Sequence, residues 1–115
     1  MNANITERTR VMTNERFNDI VKEQLTRCVD TLCIKGDEYG EDFDRLSHFK
    51  VAGALQKRRP EDALVGMMCK HIVSVVEMSR TPGFFTEDQW NEKIGDSINY
   101  LLLLSALIRE DDSHA

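Results

Sequence analysis

The chain has 115 residues, 41% hydrophobic and 30% charged, with a formal net charge of −5, which suffices for one hydrophobic core but not for two ordinary domains. The acidic excess excludes a nucleic-acid polymer as the main partner, since that partner asks for a concentrated positive field. Residues 1–10 lack the apolar core of a secretory signal, the leucine run 101–104 falls far short of the roughly 20 residues of a membrane span, and three cysteines cannot complete a set of bridges, so a reducing, cytoplasmic setting without a membrane is expected.

The first dozen residues are polar and without periodicity, and the expectation is a flexible leader over 1–12, one helical domain over 13–110 and a flexible tail over 111–115. Phe17, Ile20, Val21, Leu25, Cys28, Val29 and Leu32 recur at spacings of three and four, which predicts a first helix over 14–35. Two glycines, Gly36 and Gly40, then bracket acids and predict a connection. Asp42 or Asp44 can cap a second helix over 43–57, with Leu46, Phe49, Gly53 and Ala54 on one side and Val51 and Leu55 on the other. Two apolar sides call for two packing partners.

Lys57, Arg58 and Arg59 stand where a helix C-terminus favours positive charge. Pro60 followed by Glu61 and Asp62 is a helix start, since proline lacks a donor and acids suit the positive end. The third helix is predicted over 60–80. Thr81, Pro82 and Gly83 end it, and Thr86 with Gln89 forms a capping-box pattern that opens a fourth helix over 86–110. The fold class is therefore all-α, a compact four-helix bundle-like domain.

On a wheel of about 100° per residue, Trp90, Ile94, Leu101 and Ile108 share one side of the fourth helix, while Glu92, Asp96 and Asn99 share the opposite stripe. That polar stripe continues into Leu103 and Leu107, so it should face an interior cleft. Carboxylates four apart on one face can chelate a hard cation such as magnesium, with Asn99 adding a carbonyl or amide; equally, they can pair with lysine or arginine on a solvated surface. Gly95 beside the stripe costs roughly 1 kcal/mol relative to alanine, which implies a close approach by a neighbouring helix or a ligand.

On the third helix Gly66, Lys70, Ser74 and Glu77 form a polar stripe beside an apolar side made of Leu64, Met67, His71, Val75 and Met78. Lys70 offers a point charge for phosphate, and His71 or Ser74 offers a hydrogen bond; the alternative is a core histidine and a lysine paired to an acid. Met67, Met68 and Met78 read as core filler. Asp37, Glu38, Glu41, Asp42 and Asp44 lack the order of a calcium loop, and Arg45 and Lys50 either contact an anion or balance these acids.

The segment 92–101, Glu-Lys-Ile-Gly-Asp-Ser-Ile-Asn-Tyr-Leu, resembles the acidic helix of the all-α nucleoside triphosphate pyrophosphohydrolases, the MazG-like and dimeric dUTPase superfamily. Small phage-associated members of that group carry a Lys-x-x-x-Tyr-Gly element, an Asp-Arg-Leu-x-x-Phe element and a Lys-His-x-x-Ser helix. These are matched here by Lys35, Tyr39 and Gly40, by Asp44, Arg45, Leu46 and Phe49, and by Lys70, His71 and Ser74. The resemblance covers about residues 14–109. It implies magnesium-dependent hydrolysis of a nucleoside triphosphate to the monophosphate and pyrophosphate by an oligomer of helical subunits.

Transferred onto this chain, the resemblance matches Asp96 to a catalytic, metal-holding aspartate, with Glu92 as the nearest acid to its partner; either metal binding extends to Glu77 and the 37–44 segment with Glu38, or Lys70 and His71 hold a phosphorylated ligand directly. The substrate-binding set becomes Lys35, Tyr39, Arg45, Lys70, His71, Ser74, Asn99 and Tyr100. The match departs from the superfamily at two places. Lys93 stands where its second motif has a glutamate, and Lys70-His71-x-x-Ser74 replaces its first acidic motif. Three readings follow: a hydrolase, a protein that sequesters a nucleotide or nucleotide-derived signal without hydrolysing it, or a helical interaction module. The apolar surface of two-sided helices and the leucine run lead us to expect a homodimer or homotetramer.

Overall fold

A computed structural model describes residues 11–35, 38 and 43–113. The protein is all-α, with 82% of the described residues helical, and among these residues four α-helices form the domain. Helix α1, Asn14–Val29, is capped by Thr13, whose hydroxyl accepts the Arg16 N–H at 3.0 Å. It continues into a π-helical turn, Asp30–Ile34, closed by the Lys35 N–H donating to the Asp30 carbonyl. The period of the apolar residues carries no sign of that widened turn. Arg45 Nη2 donates to the Leu32 carbonyl within it at 2.7 Å.

Helix α2, Ser47–Gln56, starts four residues later than the spacing predicts. The Asp44 carboxylate accepts the Leu46 N–H at 2.9 Å, and the Asp44 carbonyl accepts the Ser47 N–H at 3.0 Å. This local turn competes with helix over 43–46. Lys57 ends α2 in the left-handed region, φ 55°. Gly53 makes the next step possible: a Cβ there would lie 2.8 Å from the Arg58 carbonyl oxygen and 3.1 Å from Pro60 N, so α2 and the start of α3 meet backbone to side-chain-less backbone.

Helix α3, Pro60–Ser79, begins at its proline, with Arg59 reaching Glu61 at 3.2 Å and Asp62 at 3.8 Å. The basic run thus neutralises the next helix's first turn. Helix α4, Glu87–Ser113, opens on a reciprocal capping box: Thr86 N–H donates to Gln89 Oε1 at 2.9 Å and Gln89 N–H to Thr86 Oγ1 at 3.1 Å. It runs past residue 110, three residues further than predicted.

Helices α3 and α4 form an antiparallel pair, α2 packs on α3, and α1 lies against α4. The core consists of Leu46, Phe49, Leu64 and Leu107, with Met67, Tyr100, Leu103 and Leu104 packed around it. The second apolar side of α2 finds no cover among the described residues, since Val51 is 58% exposed and Leu55 80%. Ile94, Leu101 and Ile108 of α4 are likewise exposed, whereas the stripe that starts with Asp96 and Asn99 ends on buried Leu107. No helix among the described residues is long and apolar enough to cross a membrane.

Candidate functional site

The polar stripe of α4 turns inward along its length: Glu92 is exposed, while Asp96 and Asn99 are partly buried before the stripe reaches buried Leu107. Glu92, Asp96 and Asn99, with Asn91 and Gly95, line one wall of a cavity of about 90 Å³, and Arg27, Cys28 and Thr31 of α1 line the other. The object that approaches Gly95 is a helix. A Cβ at that position would lie 2.9 Å from Gln24 Nε2, and the same amide donates to the Asn91 carbonyl at 3.0 Å. Glycine on α4 therefore lets α1 come close enough to roof the cleft.

Inside this cleft the Asn99 side-chain oxygen is buried and has no hydrogen-bond partner. A buried acceptor of this kind is ordinarily met by a donor group, a water or a cation. Burial pushes the Cys28 thiol up from its ordinary value, which keeps it protonated and only a weak donor.

On its other flank Asp96 meets α3. Its Oδ2 lies 3.6 Å from His71 Nδ1, a separation that becomes an ion pair when the imidazole is protonated. The His71 ring sits 4.9 Å, centroid to centroid, from Tyr100, which in turn is edge-on to Phe49 at 6.4 Å. Asp96 thus joins the cleft to an imidazole held by aromatic contacts from the core.

The remaining sequence-predicted residues divide plainly. Ser74 Oγ donates to the Lys70 carbonyl of its own helix at 3.1 Å, so its hydroxyl serves the backbone. Lys70 and Glu77 are exposed on the flank of α3, and Lys35 and Glu38 are exposed beyond the π-helical turn. Arg45 is engaged with the Leu32 carbonyl. Lys50 balances acids, at 2.7 Å from Asp44 and 2.6 Å from Glu110. These bonds hold the Asp44 carboxyl below its usual range and lift the Lys50 ammonium above its own. Tyr39, Asp37, Glu41 and Asp42 lie outside the described residues.

Three residues that line the cleft carried no mark in the sequence: Arg27, Thr31 and Asn91. The available signal was Gly95, whose missing side chain announces a facing helix, and the polar Gln24 set within the apolar period of α1. Among the described residues, no three His, Cys, Asp or Glu side chains gather into a group able to hold a metal. The oxygen donors along this stripe are the carboxylates of Glu92 and Asp96, on successive turns, and the Asn99 side-chain carbonyl. Comparison with protein-family models, with curated proteins and with solved structures gives no match.

Proposed function

We propose that this is a nucleotide-binding protein of the cytoplasm whose cleft between α1 and α4 takes the magnesium-bound phosphates of a nucleotide. The observation that carries the reading is the buried Asn99 oxygen left without a donor beside Glu92 and Asp96. Glu92, Asp96 and Asn99 would hold one magnesium ion, which when bound offsets the charge of phosphate oxygens. Lys70, exposed on α3 one residue before His71, adds a positive charge for the phosphate chain. The cavity is too small for a whole nucleotide, so the base and sugar lie outside it. Similarity to the MazG-like pyrophosphohydrolases supports this reading through sequence motifs alone.

Binding is favoured over catalysis by the donor set. A multi-metal phosphoryl-transfer site needs several anionic oxygens, and α3 supplies Lys70, His71 and Ser74 instead. Hydrolysis to the monophosphate and pyrophosphate is the second reading, favoured by the approach of His71 to within 3.6 Å of Asp96, since an imidazole beside a carboxylate can serve as a general base.

Purified protein incubated with a panel of nucleoside triphosphates and magnesium separates the two. A melting shift with the nucleotide recovered intact supports sequestration, since a ligand of the native state must stabilise it. Pyrophosphate release that disappears in Asp96→Asn supports hydrolysis. Absence of both signals across the panel removes the nucleotide reading.

A further inference from the structure

Helix α1 is held to the molecule far more lightly than the other three helices are held to one another. Among the described residues it buries one side chain, Cys28, and it contributes none to the core of Leu46, Phe49, Leu64 and Leu107. One hydrogen bond among these residues joins it to α4, from Gln24 Nε2 to the Asn91 carbonyl at 3.0 Å. Its apolar stripe, Phe17, Ile20, Val21, Leu25 and Val29, stands exposed. A segment that buries so little apolar surface opens locally at a small fraction of the global unfolding free energy.

The end of α1 supplies a pivot. The π-helical turn Asp30–Ile34, closed by the Lys35 N–H on the Asp30 carbonyl, departs from α-helical bonding, and single turns of this kind recur at functional sites. Arg45 Nη2 holds the Leu32 carbonyl within it at 2.7 Å, and Arg45 immediately precedes Leu46 of the core. The turn is thus fastened to the core, while the helix ahead of it is not. Gln24 stands about 12 Å along the axis from Leu32 and Cys28 about 6 Å, at the α-helical rise. A rotation of about 40° at Leu32 carries Gln24 about 8 Å and Cys28 about 4 Å on those lever arms.

The cavity beneath α1 gives that rotation a use. It holds about 90 Å³ and has Arg27, Cys28 and Thr31 as its α1 wall, whereas pockets that take a small molecule begin at about 300 Å³. With α1 docked, nothing larger than a few atoms enters. Moving the α1 wall widens the cleft and leaves Asp96 and Asn99 in place on α4, which the core anchors through Leu107.

We infer that α1 is a hinged roof, which swings about the π-helical turn independently of the α2–α3–α4 core and by this local opening admits ligand to the cleft. The inference rests on the nucleotide reading only for the identity of what enters; the motion belongs to the empty protein.

Thiol labelling of the full chain tests it without ligand, so its failure is separate from failure of the nucleotide reading. Exposed Cys33 and Cys69 are replaced by serine, which leaves Cys28 as the one thiol. Its reaction with an aromatic disulfide reagent is timed at rising urea, beside global unfolding followed by circular dichroism. Without urea Cys28 should react about tenfold or more faster than global unfolding allows, at a rate nearly insensitive to low urea. Gln24→Ala should speed that reaction about fivefold by removing the hydrogen bond to Asn91. Leu107→Val, in the core, should lower the unfolding midpoint and leave the rate without urea within about twofold of wild type. Labelling that tracks global unfolding at every urea concentration overturns the inference, as does labelling as fast as that of an exposed thiol, which leaves no closed roof to open. A rate indifferent to Gln24→Ala, or one that rises with Leu107→Val in step with the lost stability, overturns it too.

Discussion

The two faces of α4 contrast in a way that composition alone would reverse. Its apolar face, Ile94, Leu101 and Ile108, is exposed, and on the opposite face, beyond exposed Glu92, Asp96 and Asn99 are partly buried against α1 and α3. Ordinary burial would place the isoleucines inside. The inversion holds because the inward stripe earns its burial further along, where Tyr100, Leu103 and Leu107 join the core with Leu46, Phe49 and Leu64. One helix therefore anchors the core at its C-terminal half and offers polar oxygens to a cleft at its N-terminal half, with its third surface exposed.

Adjacent residues on the same helix give the strongest test of that contrast. Leu107→Ala, at 2% exposure in the core, should cost about 2–5 kcal/mol in chemical unfolding, by the same amount at every protein concentration. Ile108→Ala, at 50% exposure, should cost less than about 1 kcal/mol. Equal losses at the two positions would erase the distinction between the faces.

Gly53→Ala sharpens it from the core side, because the added methyl would meet Arg58 backbone at 2.8 Å. A loss of about 1–3 kcal/mol is expected. Gly95→Ala meets only the far end of Gln24, and the gain in helix propensity should hold its net effect within about 1 kcal/mol. Unfolding free energies that rank the two glycines the other way would contradict the assigned contacts.

The smallest effect concerns the pin between α2 and the end of α4. Lys50 bonds Asp44 and Glu110, which lowers the Asp44 carboxyl and raises the Lys50 ammonium. The Asp44 contribution is present above the ordinary carboxylate range and is lost as pH falls through its lowered folded value. The Lys50 contribution is present below the ordinary lysine range and is lost as pH rises through its raised one. Lys50→Met should lower the melting temperature by a few degrees at neutral pH, with the gap to wild type closing at both extremes. A gap that stays constant down to pH 2 would refute this assignment.

Much of the architecture is legible in the sequence where a single side chain sets the local backbone. Pro60 starts α3 and the Thr86–Gln89 box opens α4, because proline geometry and reciprocal capping act within a few residues. The inward turn of the Asp96 stripe is legible too, from Leu103 and Leu107 further along it. The Asp44 turn that delays α2 and the π-helical turn after Val29 are choices between nearly equal local conformations, decided in part by contacts such as Arg45 with Leu32. Periodicity also states which residues share a face without stating what covers it. For that reason Phe17, Val21, Leu25 and Val29 read as core from their spacing and stand 39–55% exposed. The α1 wall of the cleft was hidden on the same ground, since Arg27 and Thr31 acquire a role only once Gly95 has brought the helices together.

The central claim is that the cleft is kept polar for a ligand at a cost to the empty protein, and Asn99→Leu tests it directly. Wild type and variant are melted side by side, alone and with magnesium and the nucleotide panel. Leucine of similar size removes the buried acceptor that lacks a donor. The variant should therefore melt a few degrees higher without ligand, a gain of about 1 kcal/mol, and should lose the ligand-induced shift seen in wild type. A variant that melts lower than wild type and responds to nucleotide to the same extent would contradict the account.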